Sequence, residues 1–383
     1  MTAHGNIDEA GPCVLLIGGD VTGDLGARAA RAAIAARVRR ACAGCRIAAH
    51  TAFPARDREQ LGIDEAVRSL PDALSLAREG AFDAVLWGGG RLLHDGAGPL
   101  SGVRWLLALS ALRWIGRCPI VGCGPGIGPL DSVWGQLLAR GILRQFERMI
   151  VRDERSSHCV RRLVGYQLPL SVAPDPVAGL EAASYDDAFD FLRSAEGVTL
   201  AENELVIGVA PRPGPIEEPL AAALNRAAAG QRTRFLLFPF HAASRYDDER
   251  VCEGLAHGLV APAHVLRLDC APAMAKALAG VCDIFVSTRF HAGLMALGVD
   301  APTIAVSEAP DEREVWRALD EEDRFLEPGE VTGEEGVDIL EDILRRTADR
   351  RDVIAEGLAR KWPRYAEGCL SYEHMLKLVL TPP

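Results

Sequence analysis

Residues 84–95 read AVLWGGGRLLHD, an apolar run that is followed at once by three glycines. The same layout occurs earlier at residues 13–20, CVLLIGGD, and later at residues 119–126, PIVGCGPG. Short apolar runs bounded by glycine are typical of buried parallel strands, and the segments between them have helical spacing. Alternation of this kind predicts βαβ units and a mainly parallel sheet, which binds ligands beyond the carboxyl ends of its strands.

A second series of strand and helix patterns follows residue 203, and a helical pattern runs from residue 333 to the end of the chain. The second series has predicted strands at 205–210, 234–238, 265–268, 284–286 and 303–306. We therefore predict an α/β protein of two Rossmann-like domains whose parallel sheets face a cleft, followed by a C-terminal helical segment. The predicted boundaries are 1–178 for the first domain, 179–203 for a linker, 204–345 for the second domain and 346–383 for the helical tail.

The composition is that of a globular protein, with 49% hydrophobic and 25% charged residues among 383. A net charge of −11 repels a phosphate backbone, so nucleic acid is not an expected partner. Ten scattered cysteines, most of them in apolar runs, are typical of reduced thiols and predict a cytoplasmic protein. The longest apolar stretch, residues 105–115, is too short to cross a bilayer. A peripheral position at the inner face of a membrane stays open, as does the oligomeric state.

Arginine supplies 39 of the 42 basic residues, so a bound anion would mostly meet planar guanidinium groups. Arg152 ends a predicted strand in VRDERS (151–156), where Ser156 is expected to cap the next helix. In STRFHA (287–292), Ser287 or Thr288 is expected to cap a helix that carries Arg289 and His291 in its first turn. Cations at a helix N-terminus are unfavourable unless an anion binds there. The alternatives are a surface ion pair at Arg152 and a structural histidine at 291.

Two glycine-rich segments could bring a ligand close to the backbone. Gly89 and Gly90 lie in the first, and Gly126 and Gly128 lie in GCGPGIGPL (122–130). A tight turn without a ligand is the alternative for both. Cys42 and Cys45 have the spacing of half a zinc site, but no second pair completes it, so no metal is predicted.

Taken in order, these segments resemble the polysaccharide pyruvyl transferase family. The matching segments are Gly23-Asp24, the GGG…D segment that ends at Asp95, the turn at 124–130, the VRD…S segment at 151–156, Pro174-Asp175-Pro176 and Arg289-x-His291-Ala292. The resemblance implies domains arranged as in GT-B glycosyltransferases. It also implies transfer of a pyruvyl group from phosphoenolpyruvate to hydroxyls of a saccharide or lipid-linked saccharide, which forms a ketal during cell-surface polysaccharide synthesis. The resemblance thus implies phosphoenolpyruvate as the donor substrate, and no cofactor is expected.

The resemblance further implies that Arg152 and His291 bind or activate phosphoenolpyruvate, with Arg289 beside them. Arginine suits both the carboxylate and the phosphate of this donor. His291 is the expected proton donor or phosphate ligand, and Asp24 or Asp95 is the expected base for the sugar hydroxyl. The remaining predicted substrate-binding residues are Gly89, Gly90, Gly126, Gly128, Ser287 and Thr288.

The chain departs from the family pattern where a lysine usually follows the strand after R-x-H-A. Residues 307–315 read SEAPDEREV, which contains no lysine, and Arg313 is the candidate substitute. Two other functions therefore stay open. One is a nucleotide-sugar glycosyltransferase of the same architecture, and the other is a non-catalytic protein that binds a sugar or an anion.

Overall fold

The computed structural model describes residues 11–19, 24–241 and 247–380. Gly23 of the predicted Gly-Asp pair lies outside the described residues, whereas Asp24 lies within them. The chain divides into two compact units. Unit 1 holds the described residues of 1–21, 30–176 and 368–383, and unit 2 holds those of 22–29 and 177–367.

The strands of unit 1 are short and largely buried on both faces, as their continuous apolar runs require. They are β1 (Cys13–Ile17), β2 (Arg46–His50), β3 (Glu65–Val67), β4 (Ala84–Gly88), β5 (Arg91–Leu93), β6 (Ile120–Cys123), β7 (Gly126–Ile127), β8 (Arg148–Val151) and β9 (Leu170–Val172). Seven of them form a parallel sheet in the order β3-β2-β1-β4-β6-β8-β9. The other two, β5 and β7, pair with each other.

Unit 2 repeats this architecture with a six-stranded parallel sheet in the order β12-β11-β10-β13-β14-β15. Its strands are β10 (Leu205–Ala210), β11 (Thr233–Leu237), β12 (Ala263–Val265), β13 (Ile284–Ser287), β14 (Thr303–Val306) and β15 (Phe325–Leu326). In each sheet the first strand along the chain is central, and later strands add on both of its sides. This is the doubly wound topology that the sequence predicts.

Helices connect the strands and continue to the C-terminus. They are α1 (Leu25–Ala41), α2 (Pro54–Leu61), α3 (Leu70–Arg78), α4 (Pro99–Trp114), α5 (Val133–Leu143), α6 (Glu154–Val164), α7 (Tyr185–Ser194), α8 (Glu217–Ala228), α9 (Asp248–Gly258), α10 (Pro272–Gly280), α11 (Phe290–Leu297), α12 (Pro310–Ala318), α13 (Gly333–Asp349), α14 (Arg351–Glu367) and α15 (Leu370–Leu380). Short 3₁₀ turns lie at Asp95–Ala97, Pro176–Gly179, Glu322–Arg324 and Pro328–Val331. None of the helices in the described residues is long and apolar enough to cross a bilayer.

The last helix, α15, packs within unit 1. The hydroxyl of Tyr372 donates to the carbonyl of Pro174 at 2.9 Å, and Arg37 pairs with Glu373 at 2.5 Å. A Cβ on Gly124 would lie 2.7 Å from the Tyr372 hydroxyl oxygen, so the Gly/Pro turn has to lack a side chain at this point. The C-terminal helix therefore supports the ends of β8 and β9, where Arg152 and Asp175 lie.

The fold class is confirmed, but several local predictions are wrong. The predicted strand at 265–268 starts and ends earlier, at Ala263–Val265, because Leu268 has a left-handed φ of 48° that no strand permits. Helix α6 begins earlier than predicted, because Asp153 and not Ser156 is its N-cap. The side chain of Asp153 accepts the Ser156 N–H at 2.7 Å. Helices α2, α5, α9 and α12 were not predicted, because each has only 8 to 11 residues and so shows few turns of a helical pattern.

The structure predicts that replacing glycine by alanine has opposite effects on thermal stability at two positions, Gly88 and Gly254. A Cβ on Gly88 at the end of β4 would lie 2.2 Å from the carbonyl oxygen of Cys123, whereas one on Gly254 in α9 would meet nothing within 4 Å. We expect Gly88→Ala to cost about 1–3 kcal/mol and to lower the melting temperature by about 2–10 °C. Gly254→Ala should leave it unchanged or raise it, since alanine favours a helix by up to about 1 kcal/mol. Thermal unfolding followed by circular dichroism checks both, and equal effects would contradict the packing described here.

Candidate active site

The candidate site of unit 2 lies where the strand order of its sheet reverses. Strands β10 and β13 are neighbours that end at Ala210 and Ser287. From β10 the chain continues to β11, toward one edge of the sheet, and from β13 it continues to β14, toward the other edge. The N–H of Thr288 donates to the carbonyl of Ala210 at 3.0 Å, which ties the two strand ends together. A reversal of this kind leaves a crevice beyond the strand ends, which is the usual ligand site of such a sheet.

Ser287 and Thr288 are buried and shape the start of α11. The hydroxyl of Ser287 accepts the Arg289 N–H at 3.1 Å and donates to the Arg289 carbonyl at 2.7 Å. Arg289 itself occupies the N-cap position, so the prediction that Ser287 or Thr288 is the N-cap is wrong. Both hydroxyls instead serve the turn before the helix, and their predicted contact with substrate stays a prediction.

The Arg289 guanidinium is oriented by a buried carboxylate. Its Nε donates to Asp248 Oδ2 at 3.0 Å, and its Nη2 donates to Asp248 Oδ1. Asp248 is the first residue of α9, its side chain is fully buried, and it also accepts the His241 N–H at 3.0 Å. Burial raises the pKa of Asp248 above its ordinary value, and the hydrogen bonds and charge of Arg289 oppose this rise.

His241 forms a second polar pair with Asp24. The distance between His241 Nδ1 and Asp24 Oδ2 is 3.0 Å, and the other oxygen, Asp24 Oδ1, accepts the Ala27 N–H at 2.6 Å. Burial raises the pKa of Asp24, but the hydrogen bond from His241, the nearby His291 and the bond from Ala27 together hold it below its usual value. An ionised carboxylate only accepts hydrogen bonds, so Nδ1 of His241 is the donor in this bond.

His291, the second residue of α11, lies directly against Gly26 in the first turn of α1. A Cβ on Gly26 would lie 2.3 Å from His291 Nδ1 and 2.8 Å from its Cβ, so no residue with a side chain fits there without moving the imidazole. The ring of Phe290 lies beside it, with the two ring centroids 5.2 Å apart. Asp24, Arg289 and His291, which the sequence identified separately, thus belong to one site of unit 2.

Sequence reasoning missed His241 and Asp248 in this site, and it also missed Arg212, which follows the neighbouring strand end. Arg212 follows the end of β10 and its Nη2 lies 4.0 Å from Glu308 Oε1, in the segment after β14. Arg212 and His241 lie just beyond the ends of β10 and β11, so the rule that ligands bind at strand ends was the available signal for these two. Asp248 is the first residue of α9, a helix that was not predicted. Arg313, the candidate for the missing lysine, pairs with Glu327 at 3.1 Å and lies over the ring of Phe325.

In unit 1, Arg152 follows β8 and is almost completely buried. Its Nη1 donates to Asp175 Oδ2 at 3.0 Å, and its Nε lies 3.9 Å from Asp153 Oδ2. A Cβ on Gly126 would lie 2.9 Å from Arg152 Nε, so the glycine lets the guanidinium pack against the turn. The ion pair that Arg152 forms with Asp175 is thus buried, unlike the surface pair that was the alternative for this residue. Its predicted role in substrate binding stays a prediction.

Two of the four glycines that were predicted to contact a ligand donate their N–H groups to the chain itself. Gly126 N donates to Gly90 O at 3.0 Å, and Gly128 N donates to Leu93 O at 2.7 Å. These bonds join β5 to β7 and its following turn, and the positive φ values of Gly89 and Gly90, 90° and 92°, allow the chain to turn sharply before β5. The predicted contact of these four glycines with a ligand stays a prediction.

Asp95 stabilises a neighbouring loop. Its Oδ2 accepts the N–H groups of Asp131 and Ser132 at 2.7 and 2.8 Å, and its Oδ1 accepts the Ser132 hydroxyl at 2.7 Å. The hydrogen bonds from Ser132, ahead of a smaller opposing effect of desolvation, hold the pKa of Asp95 below its usual value. A carboxylate with three such bonds and a lowered pKa is a weak base.

The described residues contain no group of three or more histidine, cysteine, aspartate or glutamate side chains that could hold a metal ion. Cys42 and Cys45 have the spacing of half a zinc site. Burial and the neighbouring Cys42 raise the pKa of Cys45 to about 12, which leaves its thiol protonated at neutral pH.

The sequence model of the family described as polysaccharide pyruvyl transferase matches residues 25–310, well over half of the chain. The chain belongs to the polysaccharide pyruvyl transferase family. The matched residues include every strand of both sheets from β2 to β14 and, apart from Asp24, every polar residue of the unit 2 site described above. No curated protein is significantly similar to the chain in sequence.

Solved structures confirm a GT-B fold of the glycosyltransferase and epimerase type. Anabaena HepE in complex with UDP-glucose has a TM-score of 0.61 at 15% identity, over 97% of this chain and 99% of its own. The UDP-GlcNAc 2-epimerase of Neisseria meningitidis bound to UDP-GlcNAc has a TM-score of 0.60 at 11% identity, over 95% and 99%. A UDP-glucosyltransferase of Polygonum tinctorium has a TM-score of 0.57 at 12% identity, over 97% and 99%.

The lowered pKa of Asp24 predicts how its contribution to stability depends on pH. Because its folded pKa lies below the ordinary 3.8, the contribution is complete above that pH and is lost as the pH falls through the folded value. We expect Asp24→Asn to lower the melting temperature at neutral pH, and the difference from the unchanged protein to shrink below about pH 4. Asp352→Asn, at a carboxylate that is 88% exposed, is the control and should give no such trend. A difference for Asp24→Asn that is constant from neutral to acid pH would contradict this account.

Proposed function

We propose that the chain transfers a pyruvyl group from phosphoenolpyruvate to two hydroxyls of a saccharide or lipid-linked saccharide, and so forms a ketal and releases phosphate. The observation that carries the proposal is the convergence of Arg289, His291 and the His241–Asp24 pair at the strand ends of unit 2. Family membership supports the reaction class. The residues supply what the reaction needs, namely a cation for the donor, a proton donor and a base.

Arg289 is suited to the donor because Asp248 fixes the plane of its guanidinium before any ligand arrives. Asp248 accepts hydrogen bonds from Nε and Nη2, which form one edge of the guanidinium. The N-terminus of α11 adds partial positive charge at the same place. Together they favour the carboxylate or phosphate of phosphoenolpyruvate, and Arg212 brings a second guanidinium to the ends of the strands. Arg152 of unit 1 remains a proposed donor ligand by its place in the family motif.

His291 is the proposed acid. In its protonated form it donates a proton to the methylene carbon of phosphoenolpyruvate, which leaves the neighbouring carbon electron-poor. A sugar hydroxyl attacks that carbon through oxygen and loses its proton to a base. Phosphate then leaves with the electron pair of its C–O bond, and the second hydroxyl closes the ketal and gives its proton to the phosphate.

His241 is better suited than Asp24 or Asp95 to be that base. Both oxygens of Asp24 already accept hydrogen bonds, and its pKa is lowered, so it holds a proton poorly. Through His241 Nδ1 it instead orients the imidazole and stabilises the imidazolium that forms when Nε2 takes the hydroxyl proton. Asp24 is then a positioning residue, and Asp95 is part of a loop.

A second candidate function is transfer of a sugar from a nucleotide sugar. It is favoured by the likeness, over nearly the whole of both chains, to Anabaena HepE in complex with UDP-glucose. A third candidate is a protein that binds a sugar or an anion without catalysis, which is favoured by the missing family lysine.

Ligand-induced stabilisation separates the three candidates. Phosphoenolpyruvate at 100 times its dissociation constant should stabilise the full chain by about 2.7 kcal/mol, and UDP-glucose should not. Phosphate release on addition of glycan acceptors then distinguishes catalysis from binding. Stabilisation by UDP-glucose alone would favour the second function, and stabilisation by phosphoenolpyruvate without phosphate release from any acceptor would favour the third.

Two substitutions should affect different kinetic constants. His241→Gln removes the base and should lower kcat by about 10²-fold or more with little change in the KM for phosphoenolpyruvate. Arg289→Lys keeps the charge but loses the fork that Asp248 holds, so it should mainly raise that KM. Steady-state phosphate release measures both. The exposed residues His158 and Arg193 provide matched controls, His158→Gln and Arg193→Lys, which should leave both constants unchanged. A normal kcat in His241→Gln would exclude His241 as the base.

A further inference from the structure

Helices α4 and α5 of unit 1 expose an unusual number of large apolar side chains. Eight of them are between 41 and 84% exposed, and we call them the α4–α5 face: Leu100, Val103, Leu107, Trp114, Ile115, Val133, Trp134 and Leu137. On α4 they follow at spacings of three, four and seven residues, which places them on one side of the helix. A continuous apolar patch of this kind marks an interaction site.

The two helices lie side by side, so that their exposed residues form one surface. A Cβ on Gly102 would lie 3.0 Å from Leu138, and a Cβ on Gly141 would lie 3.1 Å from Leu106, so both glycines allow close approach of the helices. The indole Nε1 of Trp114 donates to Gln145 Oε1 at 3.0 Å at the far end. The contacts run in the same order along both helices, and α4 alone is about 24 Å long.

The charge of this face is opposite to that of the chain. The chain as a whole carries a net charge of −11, yet residues 96–146 contain five arginines and a single acidic residue, Asp131. Four of the arginines are exposed, namely Arg104, Arg117, Arg140 and Arg144. The fifth, Arg113, pairs with Glu147 at 2.7 Å. The occupant of the face is therefore expected to combine an apolar interior with negative charge at its surface.

We propose that the α4–α5 face binds the surface of an anionic phospholipid bilayer. Leucine, valine and isoleucine side chains would enter the boundary between headgroups and acyl chains, and Trp114 and Trp134 would lie at the level of the headgroups. The arginines extend their apolar stems along the membrane and bring their charges to anionic headgroups. This inference does not rest on the proposed activity, because its test requires no substrate.

A second copy of the chain fits the face less well. A two-fold interface would place this patch against itself and bring the exposed arginines of both copies together, with Asp131 as the single acid of the segment to compensate them. A bilayer that contains anionic lipids has no such conflict.

An apolar cavity adjoins the same face. It has a volume of about 340 Å³ and is lined by Leu93, Leu130, Trp134, Leu138 and Ile142, among others, at the N-terminal ends of α4 and α5. Trp134 belongs to both the cavity and the face. Acyl chains that contact the α4–α5 face would therefore also contact the apolar lining of this cavity.

Vesicle flotation of the full chain tests the proposal. The protein should float with vesicles of mixed phosphatidylcholine and phosphatidylglycerol, bind far less to phosphatidylcholine alone, and dissociate as salt is raised well above about 0.1 M. Leu107→Glu and Trp134→Glu should each lower the bound fraction about tenfold or more, and Arg140→Gln should lower the affinity about fivefold. Val260→Glu is the control, since Val260 is 89% exposed on unit 2 and should not affect binding.

Melting temperatures of the variants show whether they are folded, and bound fractions are compared among folded variants. A blue shift of the tryptophan emission on addition of anionic vesicles, lost in Trp134→Glu, would support burial of the face in lipid. Absence of flotation, equal binding to both vesicle types, or an unchanged bound fraction in Leu107→Glu would overturn the proposal. Dimerisation that Leu107→Glu abolishes, without vesicle binding, would overturn it in favour of an interface between copies.

Discussion

The candidate site depends on the buried carboxylate of Asp248. It accepts two hydrogen bonds from the Arg289 guanidinium and one from the backbone of His241. Asp248 therefore holds together two residues that follow different strands, β13 and β11. The position of His241 in turn decides where its ring meets Asp24 at the start of α1. One carboxylate thus places the proposed anion ligand and the proposed base, and the remaining residues of the site contact one or the other.

The sequence was sufficient for the parts of the fold that depend on short-range pattern. Strands β1, β10 and β14 were predicted with the correct limits, because a strand buried on both faces is a continuous apolar run. Arg289 and His291 could be identified because cations at a helix N-terminus conflict with the helix dipole. The pairing of His241 with Asp24 could not be predicted, because the two are 217 residues apart in the chain and neither lies in a periodic segment.

The same limit applies to the contacts of the residues that were singled out in unit 1. In unit 1 the glycine turn was correctly located, but its N–H groups are used in joining β5 to β7, and this pairing involves strands of only three and two residues. Strands this short show no detectable alternation of apolar and polar residues in the sequence. Asp95 was likewise located at a strand end, but its three hydrogen bonds to the loop before α5 depend on a helix that the pattern did not show.

The Arg289–Asp248 pair is more easily explained by positioning than by stability. Removing water from two charges costs nearly as much as their attraction returns, so apolar residues of similar volume would often stabilise a buried site equally well. Loss of one partner alone is costly, about 3–5 kcal/mol, because the other charge is left buried without compensation. A pair with these properties is poorly suited as a source of stability but well suited to hold a guanidinium in one plane. We infer that this fixed plane, at the N-terminus of α11 and beside His291, is what the architecture of unit 2 supplies to the proposed anionic substrate.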